Sequence, residues 1–168
     1  MRPMRRKDRE MPENFALNIT DKCAYVVLAT VSPDGSPYCV PLSMAREEEW
    51  LYFHSAKEGH KIDNLRLNNK VCIVCVGDVE VIPGEFSTEF ESAVIFGRAE
   101  EINDREEKIM ALRIISERYT PDNMAAFNEA INRQLDLTSV WKIHIDEISG
   151  KRKKIGKDGK ELKYGKTE

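Results

Sequence analysis

The 168-residue chain is short of several things, and each shortage narrows what it can be. No apolar run approaches the roughly 20 residues a membrane-spanning helix needs, so no membrane role is expected. The start, MRPMRRKDRE, is charged and has no apolar stretch behind it, which does not fit a secretory signal. The expected compartment is therefore cytoplasmic. There is no G-x-S-x-G elbow for a serine nucleophile, no P-loop, and no glycine-rich first turn of a Rossmann unit. Histidines number three and cysteines four, with no ligand spacing that completes a zinc set, so no metal is expected. Cys72 and Cys75 have C-x-x-C spacing, but they lie in VCIVCV, a β-branched run. Residues i and i+3 of a strand point to opposite faces, so this pair is read as free thiols rather than a redox couple.

What is present suits one folded domain: 41% apolar and 33% charged residues. The net charge of −3 hides a pattern. Residues 1–10 sum to +3 and residues 151–168 to +5, leaving −11 for the body between them. An acidic body is a poor surface for phosphate backbones, so nucleic acid is not an expected partner. The division this suggests is a folded domain over residues 1–150 and a basic, solvated tail over 151–168.

Hydrophobic periodicity gives the element order. Residues 12–22 read as a short helix. Residues 24–32 and 36–46 read as two strands joined at Ser32-Pro33-Asp34-Gly35, where Pro presets φ and Gly supplies the positive φ of a tight turn. Pro37 and Pro41 lack an N–H, which suggests a sheet edge or a bulge in the second strand. Residues 50–55 form a third strand, followed by a helix with Ser55 and Glu58 as a capping box. A strand over 71–82, a loop over 85–91, and a strand over 92–102 with a bulge at Gly97 come next. Asp104 caps a helix that runs to about Arg118. Thr120-Pro121 opens another that runs to about Arg133, and residues 139–148 alternate as a last strand. The fold class is mainly β with peripheral helices: six strands in meanders, closing into a small antiparallel barrel.

Three places carry possible chemistry. In WLYFHSAKEGHKIDNLR a strand runs into a helix. Helix N–H groups attract anions, Ser55 adds a hydroxyl, Gly59 allows close approach, and His60 and Lys61 add donors; together these could hold a phosphate monoester. The competing reading makes Ser55 an ordinary cap, Lys61 a solvated side chain and His54 a hydrogen-bonded histidine at the edge of the core. The proline-interrupted CVPLSMA could offer unpaired backbone groups to a flat heterocycle, or be plain barrel packing. FSTEFES, over Phe86–Ser92, could rim a ligand or form an oligomer contact.

These residues also match a known family. MRRKDRE, LATVSPDGSPYCVPLSM, YFHSAKEGHKIDNLRLNNKV and VEVIPGEFSTEFESAVIFGRAE resemble the FMN-binding split β-barrel superfamily. The likeness is to its 5-nitroimidazole-resistance branch, related to pyridoxamine-5′-phosphate oxidase, and covers roughly residues 4–150. The resemblance implies a six-stranded split barrel that forms a homodimer with FMN at the subunit interface. It implies that Pro41, Leu42, Ser43 and Met44 lie along the isoalloxazine, and that His54, Ser55 and Ala56 sit near the ring or ribityl chain. His60 and Lys61 would hold the phosphate, while Thr88, Glu91 and Ser92 would close the site from the partner. The implied activity is reduction of nitroaromatic or other small oxidants with electrons from NAD(P)H, His54 contacting substrate. A flavin-binding redox sensor and a pyridoxamine-phosphate-oxidase-like enzyme are the alternatives; the latter needs a second basic cluster, which the acidic body does not show.

Overall fold

The computed structural model describes residues 2–164. The chain opens with a short 3-10 turn and a two-residue strand, β1 (Glu10–Met11), and then helix α1 (Glu13–Lys22). Strands β2 (Val26–Val31) and β3 (Pro37–Leu42) form a hairpin closed by the Ser32–Ser36 turn, where Gly35 takes φ 85°. Next come β4 (Ala45–Glu47), β5 (Trp50–Ala56), helix α2 (His60–Leu67), β6 (Lys70–Val81) and β7 (Thr88–Glu101). Helix α3 (Arg105–Tyr119), a 3-10 segment (Pro121–Ala126), helix α4 (Phe127–Gln134) and the long β8 (Thr138–Lys153) complete the order.

All pairings are antiparallel, in the order β3-β2-β6-β7-β8-β5-β4, with β1 added on β8. Among the described residues the strands number eight rather than the expected six. One addition is β1; the other arises because the proline-containing second strand breaks at Ser43–Met44 into β3 and β4. These pieces sit at opposite ends of the strand order, yet only two residues separate them. Two residues span at most about 10 Å between flanking Cα atoms, so the sheet must curl until its ends meet. That is the barrel. The prolines fall where expected, on β3, which has a single neighbour.

The interior holds Val26, Leu28, Leu51, Phe53, Ile73, Ile95 and Ile143, with Ala16 and Ile19 of α1 packed on them. Phe53 and Trp141 stack at 6.3 Å between centroids. A smaller cluster under α3 joins Tyr52, Ile102, Ala111, Ile115 and Val140. The bulge foreseen at Gly97 is present, between Phe96 and Gly97 in the β7–β8 pairing. A Cβ there would lie 2.2 Å from the carbonyl oxygen of His144, so only glycine lets the strands approach this closely. Asp104 caps α3 as expected, its carboxylate accepting from the Glu107 N–H at 2.9 Å. The helix expected after Thr120-Pro121 begins instead as 3-10 and becomes α only at Phe127.

All four cysteines are free; Cys75 is buried and Cys72 is not, as the strand reading required. Two sequence expectations change. The loop placed over residues 85–91 is already β7 from Thr88, because Thr88–Phe90 pair with Val79–Val81. The tail is not simply solvated. β8 runs through the 150/151 boundary to Lys153, and an antiparallel bridge joins Ile155 to Glu161. Arg9 holds Glu161 through two hydrogen bonds of 2.6 and 2.7 Å, and the Tyr164 N–H donates to Asp8 O. Residues 165–168 of the proposed tail lie outside the described residues. Among those described, no helix is long and apolar enough to cross a membrane.

Candidate functional site

Strand β5 buries Leu51, Tyr52 and Phe53 and then releases His54 at the surface. Ser55 and Ala56 remain in the β5–β8 ladder, opposite Ser139 and Thr138. This corrects the capping box. A residue held in a strand ladder cannot start a helix, and the Ser55 hydroxyl donates to its neighbour's carbonyl, Ala56 O, at 2.8 Å. Helix α2 starts instead at His60, with Gly59 as N-cap at φ 126°, ψ 164° and no side-chain cap. The Ile62 and Asp63 N–H groups bond to Gly59 O at 2.8 and 3.1 Å, which leaves the opening N–H groups of His60 and Lys61 without a side-chain cap. They point out beside His60 and Lys61, making a donor-rich corner.

His60 is held in place by contacts the sequence reading missed. Its Nε2 lies 2.8 Å from Ser32 Oγ, and its ring lies 4.1 Å from that of Tyr38. The fully buried Asn64, one turn further along α2, donates to Thr30 Oγ1 at 3.0 Å and Ser32 Oγ at 3.3 Å. The signal was the i, i+4 spacing of His60 and Asn64 on one helix face. Ser32, read only as a turn residue, could not have been linked to it without the fold.

His54 and Lys61 belong to the same neighbourhood. Burial of the His54 ring holds its pKa below the ordinary 6.5, and the Lys61 charge pushes the same way. The residue as a whole stays exposed to solvent, so its ring is covered on one side only. That side is a cavity of about 150 Å³, lined by Leu112, Phe127, Ile131 and Leu135 of the segment between β7 and β8. A neutral imidazole presents one donor and one acceptor, which suits contact with an uncharged polar group.

The Pro41–Met44 stretch divides by alternation. Pro41 and Ser43 are exposed, Leu42 packs on the core, and Met44 is fully buried with its carbonyl accepting from the Tyr119 hydroxyl at 2.9 Å. The Met44 side chain is thus a core residue, and only its N–H remains for a ligand. The β4–β5 register, Ala45 opposite Tyr52, leads toward Ser43 beside His54.

Thr88, Glu91 and Ser92 are not strand partners of this group. His54 pairs with Val140 of β8, whereas Ser92 pairs with Lys151. Along β8 eleven residues separate those positions, whereas across the sheet Ser92 lies two residues along β7 from Val94, which shares a cross-strand row with Pro41. Glu91 is engaged locally, by Lys22 at 2.5 Å and Arg152 at 3.3 Å. Its carboxylate is already matched by two cations.

The outer face of the sheet carries two rows that are apolar across four strands. Cys39, Ala29, Cys72 and Phe96 are register partners in one, and Pro41, Val27, Val74 and Val94 in the other. Val76 and Phe96 are 50% and 40% exposed, respectively. Pro41 lies in the same surface as Ser92, which pairs with Val76.

An antiparallel barrel whose two edges come from one broken strand, with helices only at its periphery, is a split barrel. The sequence matches the family model described as pyridoxamine 5′-phosphate oxidase over residues 17–152, and the chain belongs to that family of flavin-binding split barrels. Among solved structures, a candidate 5-nitroimidazole antibiotic resistance protein from Bacteroides thetaiotaomicron is 32% identical with a TM-score of 0.73. That match covers 85% of this chain and 86% of that one. A FAD- and heme-binding protein from Mycobacterium smegmatis is 22% identical, with a TM-score of 0.74 over 86% of this chain and 73% of that one. A flavocytochrome from Azotobacter vinelandii is 21% identical, with a TM-score of 0.71 over 92% and 71%. At such identities the last two show the fold. No curated protein matches the sequence significantly.

Proposed function

We propose that the chain binds FMN at the β5–α2 corner and is an FMN-dependent oxidoreductase. It would reduce nitroaromatic or other small oxidants with electrons from NAD(P)H. The observation that carries this reading is the start of α2: an uncapped helix N-terminus with His60 and Lys61 in its first turn. That donor set fits a phosphate monoester, in which dianionic oxygens need several N–H donors and a cation. Bound flavin would supply the electron and hydride chemistry that no side chain here can perform.

The chain's own residues bind and orient. His60 and Lys61 grip the phosphate. Pro41 and Ser43 present the exposed side of β3 to the ring, Leu42 packs beneath it and Met44 contributes its N–H. Ser55 and Ala56 flank the ribityl chain. His54, kept neutral by burial and by Lys61, donates to or accepts from the substrate without repelling a cationic nicotinamide.

The active unit is a homodimer. The two apolar rows on the outer sheet face support this, because contiguous exposed apolar surface marks an interface. In that assembly Thr88, Glu91 and Ser92 of the second copy close the site.

The test is a spectrum and a titration. Protein as purified, or reconstituted with FMN, should show the two flavin absorption bands; a Soret band with no flavin uptake would overturn the reading. Lys61→Ala should weaken FMN at least tenfold, about 1.4 kcal/mol. Unchanged affinity would remove Lys61 from the phosphate site. Oxidation of NADH or NADPH that depends on an added nitroimidazole would separate an enzyme from a flavin carrier.

A further inference from the structure

His60 and Asn64 share a face of α2, and the groups around them favour one direction for each hydrogen bond. The Thr30 hydroxyl has one proton, directed to the Tyr38 carbonyl over a long 3.5 Å. It can therefore only accept from Asn64, so the amide turns its NH2 toward it. The same NH2 donates its second proton to Ser32 Oγ. The Ser32 hydroxyl keeps its own proton after accepting, and His60 Nε2, 2.8 Å away, is the acceptor we assign to it. A ring nitrogen that accepts carries no proton, so in the neutral imidazole the proton sits on Nδ1.

The geometry points to Asn64 and Ser32 as positioning residues that lock neutral His60 in the Nδ1–H tautomer, leaving that N–H as a donor to a phosphate oxygen. The inference rests on the phosphate reading above for its ligand, but the tautomer itself is a property of the chain alone. The Tyr38 ring, tilted 35° to the imidazole, fixes the ring plane. Asn64 is fully buried, and its Oδ1 finds no partner. An unpaired buried carbonyl oxygen is destabilising, and leucine would avoid it. What asparagine adds is two donors aimed at two hydroxyls. The helix corner thus gains a neutral donor beside the Lys61 charge, and the grip on a phosphate does not depend on protonating the histidine.

The experiment is long-range 1H–15N NMR of the full chain, without flavin, at a pH where the histidines are neutral. His60 is expected to show a pyrrole-type Nδ1 and a pyridine-type Nε2. Ser32→Ala removes the proton given to Nε2, and His60 should move to the Nε2–H form. Asn64→Asp turns a donor into an acceptor, draws the Ser32 proton away and should do the same. A wild-type His60 already in the Nε2–H form, or variants that keep Nδ1–H, would overturn the inference. Ser32 sits at the end of a turn, so its alanine variant folds even where the buried Asn64→Asp does not. With FMN added, Ser32→Ala should bind about fivefold more weakly, the worth of one neutral hydrogen bond. Equal affinity despite a changed tautomer would overturn the donor role. Because the tautomer is read without flavin, a chain that takes up no FMN sinks the flavin reading and leaves the relay to stand or fall on its own spectrum.

Discussion

Replacing Gly59 by alanine tests the corner most directly, because the reason for glycine there is conformational and not spatial. At φ 126°, ψ 164° the residue occupies a region essentially closed to side chains, yet a Cβ would meet nothing within 4 Å. The strain is therefore pure backbone, of order 1–3 kcal/mol. The chain has two ways to respond. If the loop holds its shape, the native state bears the strain; a urea slope of about 2 kcal/mol per molar then turns it into a midpoint drop of about 0.5–1.5 M. In a thermal scan each kcal/mol lowers Tm by roughly 2–4 °C at this chain length. If the loop relaxes instead, φ turns negative, the first turn of α2 reorients, and stability is recovered at the expense of the His60–Lys61 geometry. Equilibrium urea unfolding followed by circular dichroism, paired with an FMN titration, reads both. A variant matching the parent in urea midpoint and in FMN affinity would refute the reasoning, since the strain has nowhere else to go.

Gly97→Ala is the opposite case, limited by space: with a carbonyl oxygen 2.2 Å and Ile143 Cγ2 2.8 Å from the new Cβ, β7 and β8 must part. Overpacking of this kind is destabilising by about 1–3 kcal/mol, and an unchanged urea midpoint would refute it. Phe96→Asp places a charge at the end of an outer apolar row; sedimentation velocity should show a dimer for the parent and a monomer for the variant, and equal sedimentation would remove this face as the interface. Hydrogen bonding to Arg9, then to Lys163, holds the Glu161 carboxyl down at about 2, from 4.5. A depressed folded pKa means the clamp is complete above pH 4.5 and is lost as pH falls toward 2. Glu161→Gln should mimic that loss at neutral pH, opening the C-terminal hairpin to trypsin at Lys160 and Lys163 while the urea midpoint stays put; equal cleavage rates would show that the clamp does not hold the hairpin.

Much of the fold was legible because strong local signals agreed with the tertiary outcome. Alternation marked β8, Pro-Asp-Gly marked the first hairpin, and Pro37 and Pro41 marked the sheet edge. Asp104 with Glu107 fixed the start of α3. Where a local motif competed with strand pairing, pairing won: Ser55 and Glu58 spell a capping box, but Ser55 is drawn into the ladder with Ser139. The same competition turned Thr88–Glu91 from loop to strand. At the candidate site, His54, His60 and Lys61 were legible because they lie within eight residues. Ser32, Tyr38 and Asn64 were not, because what joins them is a contact between a hairpin and a helix about 30 residues apart. The ordered tail escaped for a related reason: its anchors, Asp8 and Arg9, are at the far end of the chain.

The break at Ser43–Met44 has a consequence for how this molecule avoids its own kind. An open sheet leaves two rims of unpaired amides, each a template on which another chain can grow. Here both rims are cut from one ribbon of backbone, so neither can peel away without pulling on the other. Severing the chain between residues 42 and 45 would untie the two rims and let the curled sheet spread into a flatter one, sticky along both borders.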